Sequence, residues 1–152
     1  MRTIRKWSEN NGLKNLQDML SGQYPLYDAM AQTLNIELVQ AQMGKCTYEG
    51  TPLKAHLNPR SVVQGGWAMG ILDAASVLSI VSALPQGKIC VTATFEAKLM
   101  RPLVPNKKCR AEGEMVYLGT NLGHAQAKLI DIETGKIIAS CTCSASVFDV
   151  TD

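Results

Sequence analysis

Apolar positions change their period several times along this chain. Leu13, Leu16, Met19 and Leu20 recur at helical spacing. After a break at Gly22–Pro25, Leu26, Met30 and Leu34 predict a second short helix over 26–34. The period then shortens to two. Ile36, Leu38 and Gln40 alternate with Glu37, Val39 and Ala41, Gly44 makes a turn, and residues 45–50 begin a return strand. That strand is expected to resume after Pro52 through Leu53–Leu57. Residues 58–66 read as a loop ending in a helix start. From Gly66 to Leu84 nearly every side chain is apolar or small, until Pro85 and Gly87 stop the run. Four strands are predicted beyond it, over 88–102, 107–119, 121–135 and 136–150, and their short links favour antiparallel neighbours.

A helix that is apolar almost all round must be covered on most of its sides. One antiparallel sheet of five to six strands curling around it is the simplest cover, an α+β architecture. With 152 residues there is room for one domain, read as 26–150, preceded by a helical extension over 1–25. The run of 66–84 is nearly long enough to span a bilayer. Asp73 argues against that, at about 2.5–3.5 kcal/mol near a bilayer centre. So do Ser76, Ser79 and Ser82 and the lack of Lys or Arg close to either end, which leaves a buried central helix.

Composition narrows the function. Apolar residues make up 46% and charged residues 18%, enough for a core. Net charge is +2 with no block of like charges, so nucleic acid is not an expected partner. The first twenty residues have no apolar signal-peptide core, which points to the cytoplasm. Five cysteines, an odd number without a CxxC pair, fit that compartment and argue against a disulfide framework or a metal site. Cys141 and Cys143, two apart in a strand, point to one face.

The chemistry centres on Asp73, a carboxylate in an apolar helix, costly there unless something uses it. A bland use is a polar network with the serine one turn on, Ser76. A catalytic one needs donors for a polarised carbonyl. Gly65 and Gly66, at the helix start after Gln64, offer free N–H groups without a Cβ to block approach, and the Asn58 side chain offers another. Eight residues separate Gly65 from Asp73, about 12 Å along one helix. One carbonyl cannot touch both, so either they serve different tasks or two chains share each site. Trp67, Met69, Ile71 and Leu72 are candidate pocket walls. Arg101, Lys107, Lys108 and Arg110 cluster around one inter-strand turn, and Gly119, Thr120 and Asn121 form another, with free amides and a hydroxyl. His56 and His124 stand far apart with no Cys or Ser pattern around them, and read as strand residues.

The layout, with Asn58, then Gln64-Gly65-Gly66 six residues on, then Asp73 nine after Gln64, resembles the hotdog-fold thioesterases related to the phenylacetate-degradation protein. A strand ending in Arg101-Pro102 and the last three strands resemble that family too, over roughly residues 26–149. Gln64 stands where the family usually has His, and Ser61 where it commonly has Gly. The resemblance implies a hotdog fold, a homodimer or tetramer with active sites at the dimer interface, and hydrolysis of an acyl- or aryl-CoA. Asp73 would be base or nucleophile, with Gly65 N–H and Asn58 polarising the carbonyl. Thr92 falls where similar thioesterases place a Ser or Thr that helps hold the attacking water, and Gly119–Asn121 where the family contacts the pantetheine or phosphates. Coenzyme A would enter only as part of the substrate, with no cofactor. Two alternatives come with the fold. A hydratase would need a His on the helix, and none lies between Gly65 and Leu84. A non-catalytic acyl-CoA-binding sensor would have no need of Asp73.

Overall fold

The computed structural model describes residues 7–23 and 28–150. Among the described residues the main elements follow in the order α1 (Gly12–Leu20), α2 (Ala29–Leu34), β1 (Ile36–Gln42), β2 (Lys45–Gly50), α3 (Gly65–Val81), β3 (Lys88–Leu99), β4 (Cys109–Leu118), β5 (Leu122–Asp131) and β6 (Ile137–Asp149). Residues 24–25 of the predicted break, and residues 26–27 of the expected second helix, lie outside the described residues. Within α2 the expected one-sided pattern is only partly realised: Leu34 packs on the core while Met30 is exposed.

All six strands form one antiparallel sheet in the order β1-β2-β4-β5-β6-β3. The helix α3 lies across the inner face of that sheet, against β2 through β6. Inward positions on β5 and β6 are small (Ala125, Ala127, Cys141, Cys143 and Ala145), so the helix approaches closely. This is the hotdog arrangement. Apolar side chains alternate inward along β5, as a sheet with one wet face requires.

The serines of α3 are no obstacle to burial. Ser79 Oγ donates to the Ser76 carbonyl at 2.6 Å and Ser82 Oγ to that of Ser79 at 2.7 Å, so the buried hydroxyls are satisfied along the helix itself. Ser82 Oγ also accepts from Gly44 N–H at 2.8 Å, tying the helix end to the β1–β2 turn. Helical bonding stops at Val81, three residues short of the expected end, because Ala83 and Leu84 donate to the carbonyls three residues back and tighten the last turn.

Two other expectations are corrected. Leu53–Leu57 is not a return strand. Lys54–His56 form a 3-10 turn, with Leu53 N–H donating to His56 Nδ1 at 2.8 Å. Short links also fail to make β3 and β4 neighbours: β3 crosses to the far edge and pairs only with β6. That leaves a twelve-residue edge strand with one unpaired side.

Candidate active site

The site begins where the loop meets α3. Asn58 Oδ1 accepts from Arg60 N–H at 2.9 Å and from Val62 N–H at 3.2 Å. Two backbone donors fix which end of the amide is oxygen, so Nδ2 is the end left to donate elsewhere. Gln64 is the N-cap of α3, in extended backbone geometry, and its exposed side chain makes no capping bond. Gly65 is the first helical residue and Gly66 the second, so their N–H groups have no intrahelical acceptor. A groove runs beside them, lined by Val62, Gly65, Leu99, Met100, Arg101 and Leu103. Val62, Leu99 and Met100 are exposed apolar residues there. Sequence reading missed these three; the outward Leu-Met pair just before Arg-Pro was the available signal.

Asp73 sits two turns further along α3, half-buried. Thr92 Oγ1 on β3 donates to Asp73 Oδ1 at 3.0 Å. Burial raises the carboxyl above its ordinary range, and the Thr92 hydrogen bond opposes that only partly. Ser76 does not serve the carboxylate; its hydroxyl donates to the Asp73 backbone carbonyl at 3.2 Å. Thr92, singled out in the sequence by resemblance alone, is thus a direct hydrogen-bond partner of Asp73. The bond depends on a β-bulge between Thr92 and Thr94, which breaks the strand's alternation at the point where Thr92 turns inward.

The predicted residues fall into two groups. Arg101 lies with Gly65, its guanidinium donating to the Ile137 carbonyl and its backbone N–H to that of Ile138. The turn Gly119–Asn121 lies at the other end of the sheet, closed by Gly119 N–H donating to Leu122 O at 2.8 Å and held by Val147 N–H on Asn121 O at 2.9 Å. Ile138 and Val147 are nine residues apart on one strand, about 30 Å. Thr92, by contrast, is in register with Ala145 and, one strand further, with Gly123, which follows that turn. Asp73, Thr92 and Gly119–Asn121 thus form one group; Asn58, Gln64, Gly65, Gly66 and Arg101 form the other.

Several candidates drop out. Trp67, Ile71 and Leu72 are core residues rather than pocket walls, and Trp67 Nε1 donates to Leu34 O at 2.7 Å. Of those four only Met69 is exposed. Lys108 and Arg110 are both paired with Glu49, and Lys107 with Glu133, so those cations are already engaged. His56 is held in the 3-10 turn with Nε2 on Thr33 O at 2.7 Å, while Nδ1 accepts from Leu53. Both ring nitrogens are thus taken up by backbone groups, a structural role. The five cysteines are free thiols, and burial pushes Cys46 up to about 12 and Cys90, Cys109 and Cys141 up to about 11, which leaves them poor nucleophiles. Among the described residues no His, Cys, Asp or Glu cluster could hold a metal, and no helix is long and apolar enough to cross a membrane.

Comparison with known proteins adds a family. The model of the thioesterase superfamily matches residues 61–138, which is 78 of 152 residues and just over half of the chain. A search of curated proteins finds no match. Among solved structures, a phenylacetic acid degradation-related protein of Ralstonia eutropha JMP134 is 25% identical, with a TM-score of 0.77 over 86% of this chain and 98% of its own. The PaaI protein from the phenylacetic acid degradation operon of E. coli is 19% identical, with a TM-score of 0.78 over 91% and 98%. A thioesterase-type protein of Streptococcus pneumoniae TIGR4, determined with coenzyme A, is 19% identical, with a TM-score of 0.72 over 83% and 95%.

Proposed function

Because the chain belongs to the thioesterase superfamily and is a thioester hydrolase, we propose that its substrate is an acyl- or aryl-CoA, hydrolysed at a site that two protomers share. The observation that carries this is the half-buried Asp73 carboxylate, raised in pKa and held by Thr92, on a helix whose N-terminal amides are about 12 Å away. Two such helices packed antiparallel across a two-fold axis bring Gly65 of one protomer to Asp73 of the other. The unpaired edge of β3, with Val91 exposed on it, is a surface suited to pairing with a second copy. The structural likeness to a protein determined with coenzyme A supports the substrate class.

In this reading the thioester oxygen accepts from Gly65 N–H and Asn58 Nδ2, where negative charge develops. Gln64 and Gly66 flank that point. Water held between Asp73 and the Thr92 hydroxyl attacks the carbonyl carbon, and its proton passes to the Asp73 carboxylate. The C–S bond breaks, and the CoA thiolate leaves and takes up a proton, giving free acid and CoA. Asp73 as direct nucleophile is the other form of the same assignment; an acyl anhydride would then form and be hydrolysed. Arg101 meets the CoA phosphates from the partner's side, and Gly119, Thr120 and Asn121 from the side of Asp73. No cofactor is required.

The test is thiol release from a panel of short, medium, long-chain and aryl CoA thioesters, with Asp73→Ala and Asp73→Asn beside the native protein. Turnover of at least one thioester, with both variants slowed by about 10²-fold or more, is the expected result. A native protein that binds acyl-CoA without hydrolysing it overturns the assignment in favour of a binding module.

A further inference from the structure

Met69 stands apart from its neighbours on α3. Ala68, Ile71 and Leu72 are 0% exposed, whereas Met69 is 42% exposed, alone among the large apolar side chains described on that helix. Its position is also particular. It lies one turn after Gly65 and Gly66 and one turn before Asp73, so these residues share one stripe of the helix surface. The strand β3 borders that stripe at both ends. A Cβ on Gly65 would stand 2.8 Å from Leu99 Cδ1, and Thr92 Oγ1 is bonded to Asp73. The stripe therefore runs beside the open edge of the sheet, where a second copy is proposed to pair. Symmetry then singles out one residue. When antiparallel helices pair across a two-fold axis, the residue halfway between any two that meet is the one that meets its own copy. For Gly65 on Asp73 that residue is Met69, about 6 Å along the helix from each. Glycines at one end and a short carboxylate at the other leave room between the helices. In the middle, two thioether side chains fill a gap of about 8–10 Å between helix axes.

We infer that Met69 and the partner's Met69 meet on the two-fold axis and form the wall between the two sites, where they stop the acyl group. This rests on the shared-site reading and adds the acyl class to it. The charged nucleotide of coenzyme A stays in solvent, so the acyl group runs the other way, inward along the stripe. From a carbonyl at Gly65 to the wall is about 6 Å of helix. That is room for a short aliphatic or single-ring acyl group and not for a long chain. Methionine is unbranched and has three rotatable bonds, so the wall adapts to acyl groups of different shape within that length.

Two readouts on the full chain test it, and the first needs no turnover. Met69→Cys is oxidised mildly and run without reductant. A covalent dimer is expected, because facing residues on helices packed at that distance come within the roughly 7 Å that a disulfide allows. Ala74→Cys, whose two copies would lie about 15 Å apart along the helices, is expected to stay uncross-linked, as is the native protein with its buried or half-buried thiols. The second readout is kcat/KM across acetyl- to decanoyl-CoA, or affinity where the thioester is bound without turnover. Met69→Ala should raise the ratio of long to short substrates by about tenfold or more, the size of one methylene in an apolar pocket. Met69→Leu, similar in volume, should keep the native profile. Absence of the cross-link, or its equal yield in Ala74→Cys, overturns the wall. Activity regained by co-expressed Asp73→Asn and Gly65→Pro then shows that the shared site stands without it, and no regained activity shows that both fall. An unchanged length profile in Met69→Ala overturns the stop. So does a profile that shifts in Leu99→Ala instead, which would put the acyl group in the groove of Val62, Leu99 and Met100.

Discussion

Asp73 is where burial and the proposed chemistry meet in a single residue. Its carboxyl is raised first by desolvation, with the Thr92 hydroxyl pulling the other way. A carboxyl whose folded pKa lies above its unfolded value binds more protons when native across the interval between the two. Its contribution to stability therefore falls as pH rises through that interval, and the cost persists at neutral pH. Two outcomes follow for one group. The acid limb of kcat/KM lies above the ordinary carboxylate range, because the base must be ionised, and Thr92→Val moves it higher still by removing the bond that lowers the pKa. Asp73→Asn, meanwhile, melts no lower than the native protein at pH 7, and its advantage fades at pH below both pKa values. A pH-rate profile and paired melting curves measure both; an acid limb at or below the usual carboxylate value refutes the assigned base.

At the scale of the element, the proposed reaction assigns its carbonyl-polarising half to the N-terminus of α3. Gln64 has φ −62° and ψ 132°, the extended geometry that a residue before proline adopts, and Gly65 is the first helical position, where proline is accepted. Gly65→Pro thus removes one N–H donor with little offence to the helix. The atom nearest its new Cβ is the flexible end of Leu99. The expected result is a kcat lower by about 10²–10³ with the melting temperature nearly unchanged. An unaltered kcat would remove Gly65 N–H from the reaction. The position of this element was legible from the run of apolar residues and its glycine start. Its end was not, because the shift to tighter bonding after Val81 depends on how the chain turns into β3.

For the whole molecule the proposal requires that two groups of residues, separated along α3, act on one carbonyl. Sharing between protomers predicts complementation. Asp73→Asn and Gly65→Pro, each inactive, are co-expressed. Random pairing puts both lesions in one site of every mixed dimer and leaves the other intact, so about a quarter of native activity returns. Recovery measured against separately purified variants decides it: no recovery means that each site lies within one chain. Lys107, Lys108 and Arg110 are paired with Glu133 and Glu49, while Arg101, grouped with Gly65, stands at the other end of the sheet from Gly119–Asn121.

Pattern alone sufficed for the long helix, the six strands, and the spacing of Asn58, Gln64, Gly65 and Asp73, since periodicity and glycine position are local properties of the chain. It also sufficed to state that Gly65 and Asp73 cannot meet within one helix, a matter of rise per residue. Tertiary structure decided what local pattern cannot. It put Thr92 on Asp73, through a bulge whose register is set by β6. It sent β3 to the sheet edge instead of beside β4. It buried Trp67, Ile71 and Leu72 in the core and left Tyr117 in water. Each of these depends on which strand neighbours which. That choice is made by the close packing of small inward side chains against α3, between residues far apart in sequence, so no window of the sequence contains it.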